Sequence, residues 1–175
     1  GRWNTLVSGL QQFKDDFDKN QPMWKVMPKF VTANPRYETA GLKDLCQQIH
    51  AVYKASDIAR VTTEMYLSDI QPAMKPSDAF AKMTHGEVVR VPIDELEGQI
   101  VAVLLTPYPP GIPLLVPGER FNTTIVNYLK FARNFNEQFS GLETDVHGLV
   151  SETTGGIKRY SVDCVMQTLR QTSKH

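Results

Sequence analysis

Between Thr106 and Arg120 the chain reads Thr-Pro-Tyr-Pro-Pro-Gly-Ile-Pro-Leu-Leu-Val-Pro-Gly-Glu-Arg. Each proline fixes one backbone dihedral and removes a donor, so neither a helix interior nor a central strand can run through this stretch. The preceding segment Ile100-Val101-Ala102-Val103-Leu104-Leu105 is wholly apolar. A buried strand covered on both faces is therefore expected to feed a stiffened loop. Tyr108, Pro109, Pro110 and Gly111, then Glu119 and Arg120, are the loop residues with chemistry to offer. A loop stiffened beside the core is suited to present a surface.

Around this loop the pattern changes from helical to extended. Leu6, Leu10, Phe13 and Phe17 recur at helical spacing, with Asn4 or Thr5 expected as the cap and Pro22 as the limit. Met23 to Val31 predicts a short helix disturbed by Pro28, followed by a turn at Thr32-Ala33-Asn34-Pro35. Leu42, Leu45, Cys46, Ile49, Val52 and Tyr53 form an amphipathic stripe. Ile58, Val61 and Met65 form the next, behind Asp57. A helix opened by Lys75-Pro76-Ser77-Asp78 should turn Phe80 and Met83 inward and end at Gly86. From Glu87 onward Val89, Val91 and Ile93 alternate as in a strand, and Pro92 places it at an edge. Asn122 or Thr123 should cap a helix burying Ile125, Tyr128, Leu129, Ala132, Phe135 and Phe139, ended by Gly141. Strands near Leu149–Glu152 and Ile157–Val165 are joined through Thr153-Thr154-Gly155-Gly156. Helices first, then strands with one helix among them, predict an α+β fold: a helical N-terminal half followed by a small mixed or antiparallel sheet with a packed helix. The expected divisions are 1–70, 71–166 and a disordered tail over 167–175.

The composition excludes several functions. Nineteen basic and nineteen acidic residues cancel, so neither nucleic acid nor an anionic membrane surface is indicated as a partner. No apolar run approaches the roughly 18–20 residues needed to span a bilayer. Two cysteines at no metal-ligand spacing, Cys46 and Cys164, read as reduced thiols in the cytoplasm.

Several segments along the whole chain carry a family resemblance. They include Trp3-Asn4-Thr5-Leu6-Val7, Met27-Pro28, Arg36-Tyr37, Leu42-Lys43-Asp44-Leu45-Cys46 and Met74-Lys75-Pro76-Ser77-Asp78-Ala79. Val91-Pro92-Ile93, Leu96-Glu97-Gly98, the proline loop and Leu142-Glu143-Thr144-Asp145-Val146-His147-Gly148 follow in the same order. The chain resembles the C-terminal domain of the bacterial pyridoxal-phosphate-dependent ornithine/lysine/arginine decarboxylases. Pro-Gly-Glu-Arg-Phe and Glu-Thr-Asp-Val-His-Gly resemble the lysine-type branch more than the ornithine branch. The resemblance implies a parent lyase that removes the α-carboxylate of a basic amino acid, with roles in polyamine supply or acid resistance. It also implies a homo-oligomer in which this domain packs on the catalytic domain. Tyr108, Pro109, Pro110, Gly111, Glu119 and Arg120 would line the substrate channel there, with Glu119 drawing in the basic substrate.

The family's cofactor-anchoring lysine follows a histidine, and no His-Lys pair occurs: His50, His85 and His147 precede Ala51, Gly86 and Gly148. The chain is therefore expected to be a fragment with no catalytic, cofactor-binding or metal-binding residue of its own. Pyridoxal phosphate belongs to the intact enzyme. Some lysine-type members bind a guanosine tetraphosphate in the region matching Gln21 to Lys25. Pro22 and Lys25 replace the expected arginine and asparagine there, which argues against that regulation.

Other readings rest on single pairs. Cys46 and His50 share a helix face, as a thiolate–imidazole hydrolase would need, but no third group orients the histidine. Asp145 and His147 point to one side of an extended segment, yet a metal requires three or four ligands. Pro107-Tyr108-Pro109-Pro110 has the spacing of a polyproline ligand, which makes a free-standing interaction module the alternative function.

Overall fold

The computed structural model describes residues 1–167, which divide into two units. The first comprises Gly1–Ile58 with Phe139–Gly141. Its helices are α1 (Arg2–Asp18), α2 (Met23–Val26), α3 (Pro28–Ala33) and α4 (Leu42–Ala55), with a 3₁₀ turn at Pro35–Tyr37. Helix α1 has the predicted amphipathic stripe but buries none of it: Trp3 is 77% and Leu10 61% exposed. Its start also differs from expectation, because the helix begins at Arg2 and neither Asn4 nor Thr5 caps it. Pro28 does not merely disturb the next helix. It divides it, occupying the first position of α3, where a missing N–H costs nothing.

The cap of α4 comes from far away in sequence. Asn20, held at φ 49°, accepts hydrogen bonds from the N–H groups of Lys43 (3.0 Å) and Asp44 (3.2 Å) through Oδ1. A Cβ at Gly41 would lie 2.1 Å from that oxygen, so only glycine fits beneath the cap. Leu42 and Leu45 are buried, whereas Tyr53 from the same predicted stripe is exposed. Tyr37 is buried too, stacked on Phe30 and donating its hydroxyl to the Ser140 carbonyl at 2.9 Å.

The second unit comprises Ala59–Gln138 and the chain from Leu142 onward. It holds α5 (Ile58–Leu67, whose first residue belongs to the other unit), α6 (Pro76–Thr84), β1 (Val88–Pro92) and β2 (Thr106–Tyr108). These are followed by α7 (Thr123–Gln138), β3 (Asp145–His147), β4 (Leu149–Thr154) and β5 (Ile157–Val165). Strands β1, β5 and β4 form an antiparallel sheet in that order, and β2 pairs antiparallel with β3. The α+β class is as expected, and β1 lies at the edge that Pro92 requires. The β4–β5 hairpin turns through Gly155 and Gly156, both at positive φ as a type I′ turn demands. The expected frayed tail lies, except for Gln167, outside the described residues.

Two expectations fail in this unit. In α6 the buried residue is Ala79, while Phe80 is 57% exposed, because Ala79 packs with Ile100, Ala102 and Val165. The apolar run 100–105 is buried over much of its length, yet it is not a regular strand. Its backbone changes partners along the way: the Val101 N–H donates to the Glu119 carbonyl, Ala102 to Asp163 and Leu105 to Leu115. Leu104 is left half exposed. Every backbone group needs a partner, but nothing requires those partners to lie on one strand.

Helix α7 follows its pattern closely. Ile125, Tyr128, Leu129, Ala132 and Phe135 are all buried. Asn122 caps it, Oδ1 accepting from the Ile125 N–H at 2.9 Å while Nδ2 donates to the Ser68 hydroxyl. Asn122→Ala should therefore destabilise the second unit by about 1–2 kcal/mol. Urea unfolding followed by circular dichroism measures this, and a loss below about 0.5 kcal/mol would deny the cap its role.

Candidate functional site

The proline loop is secured first by its own backbone. Leu105 and Leu115 exchange hydrogen bonds across its base, and the Gly111 N–H donates to the Pro107 carbonyl at 2.8 Å. Gly111 sits at φ 79°, where a Cβ would press to 3.0 Å from the Tyr108 ring. Glycine thus permits both the turn and the close approach of the aromatic ring. The Tyr108–Pro109 and Pro109–Pro110 peptide bonds are both cis. Pro107 is fully buried, so the Pro107–Pro110 segment does not present itself whole as a polyproline ligand.

Pairing of β2 with β3 then brings two candidates together. Thr106 faces His147, Pro107 faces Val146 and Tyr108 faces Asp145. The Tyr108 and His147 rings lie 4.5 Å apart between centroids, tilted by 45°. Asp145 and His147 do share one side of the strand, with Oδ2 and Nε2 3.3 Å apart. Tyr108, Asp145 and His147 therefore form one exposed cluster of an aromatic ring, a carboxylate and an imidazole. Tyr108 remains 46% exposed. Gly148, at φ 90°, ends the strand with no room for a side chain beside the Leu104 carbonyl.

Glu119 and Arg120 are committed elsewhere. The Glu119 carboxylate accepts the Val116 N–H at 2.8 Å, which closes the end of the loop. It does not cap α7, a task taken by Asn122. Arg120 donates Nη1 to the Gly98 carbonyl and lines a small hollow of about 240 Å³ with Asp69 and Glu97. Cys46 is half buried and His50 exposed on α4, and no hydrogen bond joins them among the described residues. Cys164 is fully buried, and that burial, with a smaller contribution from Asp163, pushes its thiol up to about 12. A thiol held protonated in this way is no nucleophile at neutral pH. Among the described residues no group of three or more His, Cys, Asp or Glu side chains is placed to hold a metal ion.

Sequence reasoning passed over Tyr160. A tyrosine in a β-strand reads as ordinary core, and only its surroundings distinguish its hydroxyl. Thr106 was passed over for the same reason. Its buried hydroxyl, on the residue paired with His147, has no hydrogen-bond partner among the described residues.

Residues 59–166 match the family model described as the Orn/Lys/Arg decarboxylase, C-terminal domain. Lysine decarboxylase LdcA of Pseudomonas aeruginosa is 44% identical over 171 residues, covering 95% of this chain and 23% of that protein. The biodegradative arginine decarboxylase of Escherichia coli is 35% identical, over 94% of this chain and 22% of its own length. The solved structure of lysine decarboxylase A from Pseudomonas aeruginosa superposes with a TM-score of 0.88 at 45% identity, covering 94% of this chain and 23% of that one. The chain thus spans less than a quarter of the length of the relatives it matches.

Proposed function

The chain belongs to the family of C-terminal domains of ornithine/lysine/arginine decarboxylases, and on that premise we propose that it serves a pyridoxal-phosphate-dependent decarboxylase of basic amino acids. Lysine is the favoured substrate on the similarity to one relative, lysine decarboxylase LdcA at 44% against 35% for the arginine decarboxylase, although the lysine decarboxylases of Escherichia coli stand at 29–30%. Arginine and ornithine are the alternatives. The intact protein would release carbon dioxide and a diamine or agmatine in the cytoplasm. Its cofactor supplies the electron sink for that step. The residues of this chain do not fit the cofactor itself, since the His-Lys pair that anchors it is absent.

The domain's contribution is a wall. Tyr108 carries this reading: a large ring, held by Gly111 and His147, stays exposed rather than joining the core. Pro109, Pro110 and Gly111 fix its position at the mouth of the substrate channel, and Asp145 adds a carboxylate suited to a substrate amine. Glu119 and Arg120 hold the end of the loop in shape. The apolar face of α1 fits a further role, docking on the catalytic domain within a homo-oligomer.

In the full-length enzyme Tyr108→Ala should raise KM for the basic substrate about tenfold, equivalent to about 1.4 kcal/mol, and leave the cofactor absorbance unchanged. Glu119→Gln keeps an acceptor for the Val116 N–H and should leave KM within about twofold. An unchanged KM in Tyr108→Ala would remove the ring from the channel.

A further inference from the structure

We propose that the second unit carries a small-oxyanion site built on Tyr160 and Lys158, between α7 and the β4–β5 hairpin. Two hollows of about 440 and 380 Å³ meet there, and both residues line both of them. Tyr160 lies on β5 opposite Ser151 and is 6% exposed. Its hydroxyl has no hydrogen-bond partner among the described residues. Phenylalanine would supply the same ring without burying an unsatisfied polar group, so the hydroxyl calls for a partner from outside the chain.

The neighbouring groups narrow what that partner is. Lys158 stands two residues away on the same face of β5, with Nζ 5.3 Å from the centre of the Tyr160 ring and over its face. It forms no ion pair among the described residues. Arg133 lines the larger hollow but is held by Asp94 at 2.8 Å, and Asn136 spends both ends of its amide on Thr144. Of the acidic side chains that line the hollows, Asp94 is paired with Arg133 and Asp145 stands 3.3 Å from His147, while Glu137 and Glu143 have no ion-pair partner among the described residues. Among the described residues the Tyr160 O–H and the Lys158 ammonium have no acceptor, and Arg159, which lines the larger hollow, has no ion-pair partner either. A carboxylate or phosphate oxygen accepts from Tyr160 and Lys158, whereas an ammonium ion entering there meets Lys158 as a like charge. The hydroxyl is shut off from solvent in the unliganded chain, so a ligand reaches it only as the side chains around it move aside. The proposal stands on these groups alone and does not rest on the decarboxylase reading.

The test titrates the isotope-labelled chain with acetate, inorganic phosphate and methylammonium at matched ionic strength, following backbone amides by nuclear magnetic resonance. Saturable shifts at residues 158–161 and 133–137 are expected with one or both anions. Acetate alone points to a small carboxylate, and phosphate alone to a phosphate-bearing ligand. Tyr160→Phe should weaken binding about tenfold while melting no lower than the wild type. Lys158→Met, at an exposed position, should weaken it similarly. A response to methylammonium alone, no saturable response to either anion, or unchanged binding in Tyr160→Phe would overturn the site. So would a Tyr160→Phe variant that melts well below the wild type, because the hydroxyl would then have an internal partner.

Discussion

Gly118→Ala is expected to destabilise the second unit by about 3 kcal/mol or more, from backbone strain and a steric clash together. Gly118 holds φ at 94°, outside the range an L side chain tolerates. A Cβ there would stand 2.5 Å from the Met74 carbonyl oxygen, a contact no side-chain rotation relieves. The backbone cannot retreat either. The Gly118 N–H donates to the Val101 carbonyl at 2.8 Å, and its own carbonyl accepts from Ala73 and Met74. Gly86 provides the control, with φ at 71° and open space where a Cβ would go. Gly86→Ala should cost only about 1 kcal/mol, the price of the dihedral alone. Urea unfolding of both variants isolates the clash as their difference. A Gly118→Ala variant as stable as Gly86→Ala would show that the Met74 segment moves aside freely.

What could be seen in the sequence was whatever depends on neighbours a few residues apart. Helix α7 was legible because its cap, Asn122, adjoins a stripe of period 3.6 and one face of it meets the core. The same kind of stripe on α1 revealed a helix but not what covers it, since periodicity reports a face and never its partner. The cap of α4 was invisible because Asn20 reaches it from the turn after α1, with α2 and α3 in between. Burial of 100–105 was legible from its apolar composition. Its failure to form a strand was not, because its hydrogen bonds go in turn to segments around Glu119, Asp163 and Leu115.

The candidate site divides along the same line. Tyr108 to Gly111 stood out through proline and glycine chemistry, and Asp145 with His147 through their alternate spacing. That the two groups meet depends on the pairing of β2 with β3, a long-range choice no local rule makes. Nothing near Glu119 in sequence revealed that its carboxylate accepts the Val116 N–H across the end of the loop.

Phe121→Ala should have an effect at least as large as that of Gly118→Ala, about 3–5 kcal/mol. Phe121 is 2% exposed and among the largest of the fully buried side chains. The cost of such a truncation depends on how far the surroundings collapse into the space left behind. Here collapse is resisted on both sides of the residue. Its N–H donates to the Gln99 carbonyl at 2.9 Å, its carbonyl accepts from Gly98 at 3.0 Å, and the adjoining Asn122 is tied to Ser68 and the α7 terminus. The void should therefore persist, and the loss should fall in the upper part of the range. Phe121→Leu refills most of the space and should cost about 1 kcal/mol. Because the molecule has two units, the loss should appear in the transition reporting Tyr108 and α7, and unfolding of Gly1–Ile58 should keep its own midpoint. A Phe121→Ala loss below about 1.5 kcal/mol would mean that the backbone around Gln99 yields after all. The same yielding would then reach the Glu119 end of the loop, and the rigid setting of Tyr108 would lose its foundation.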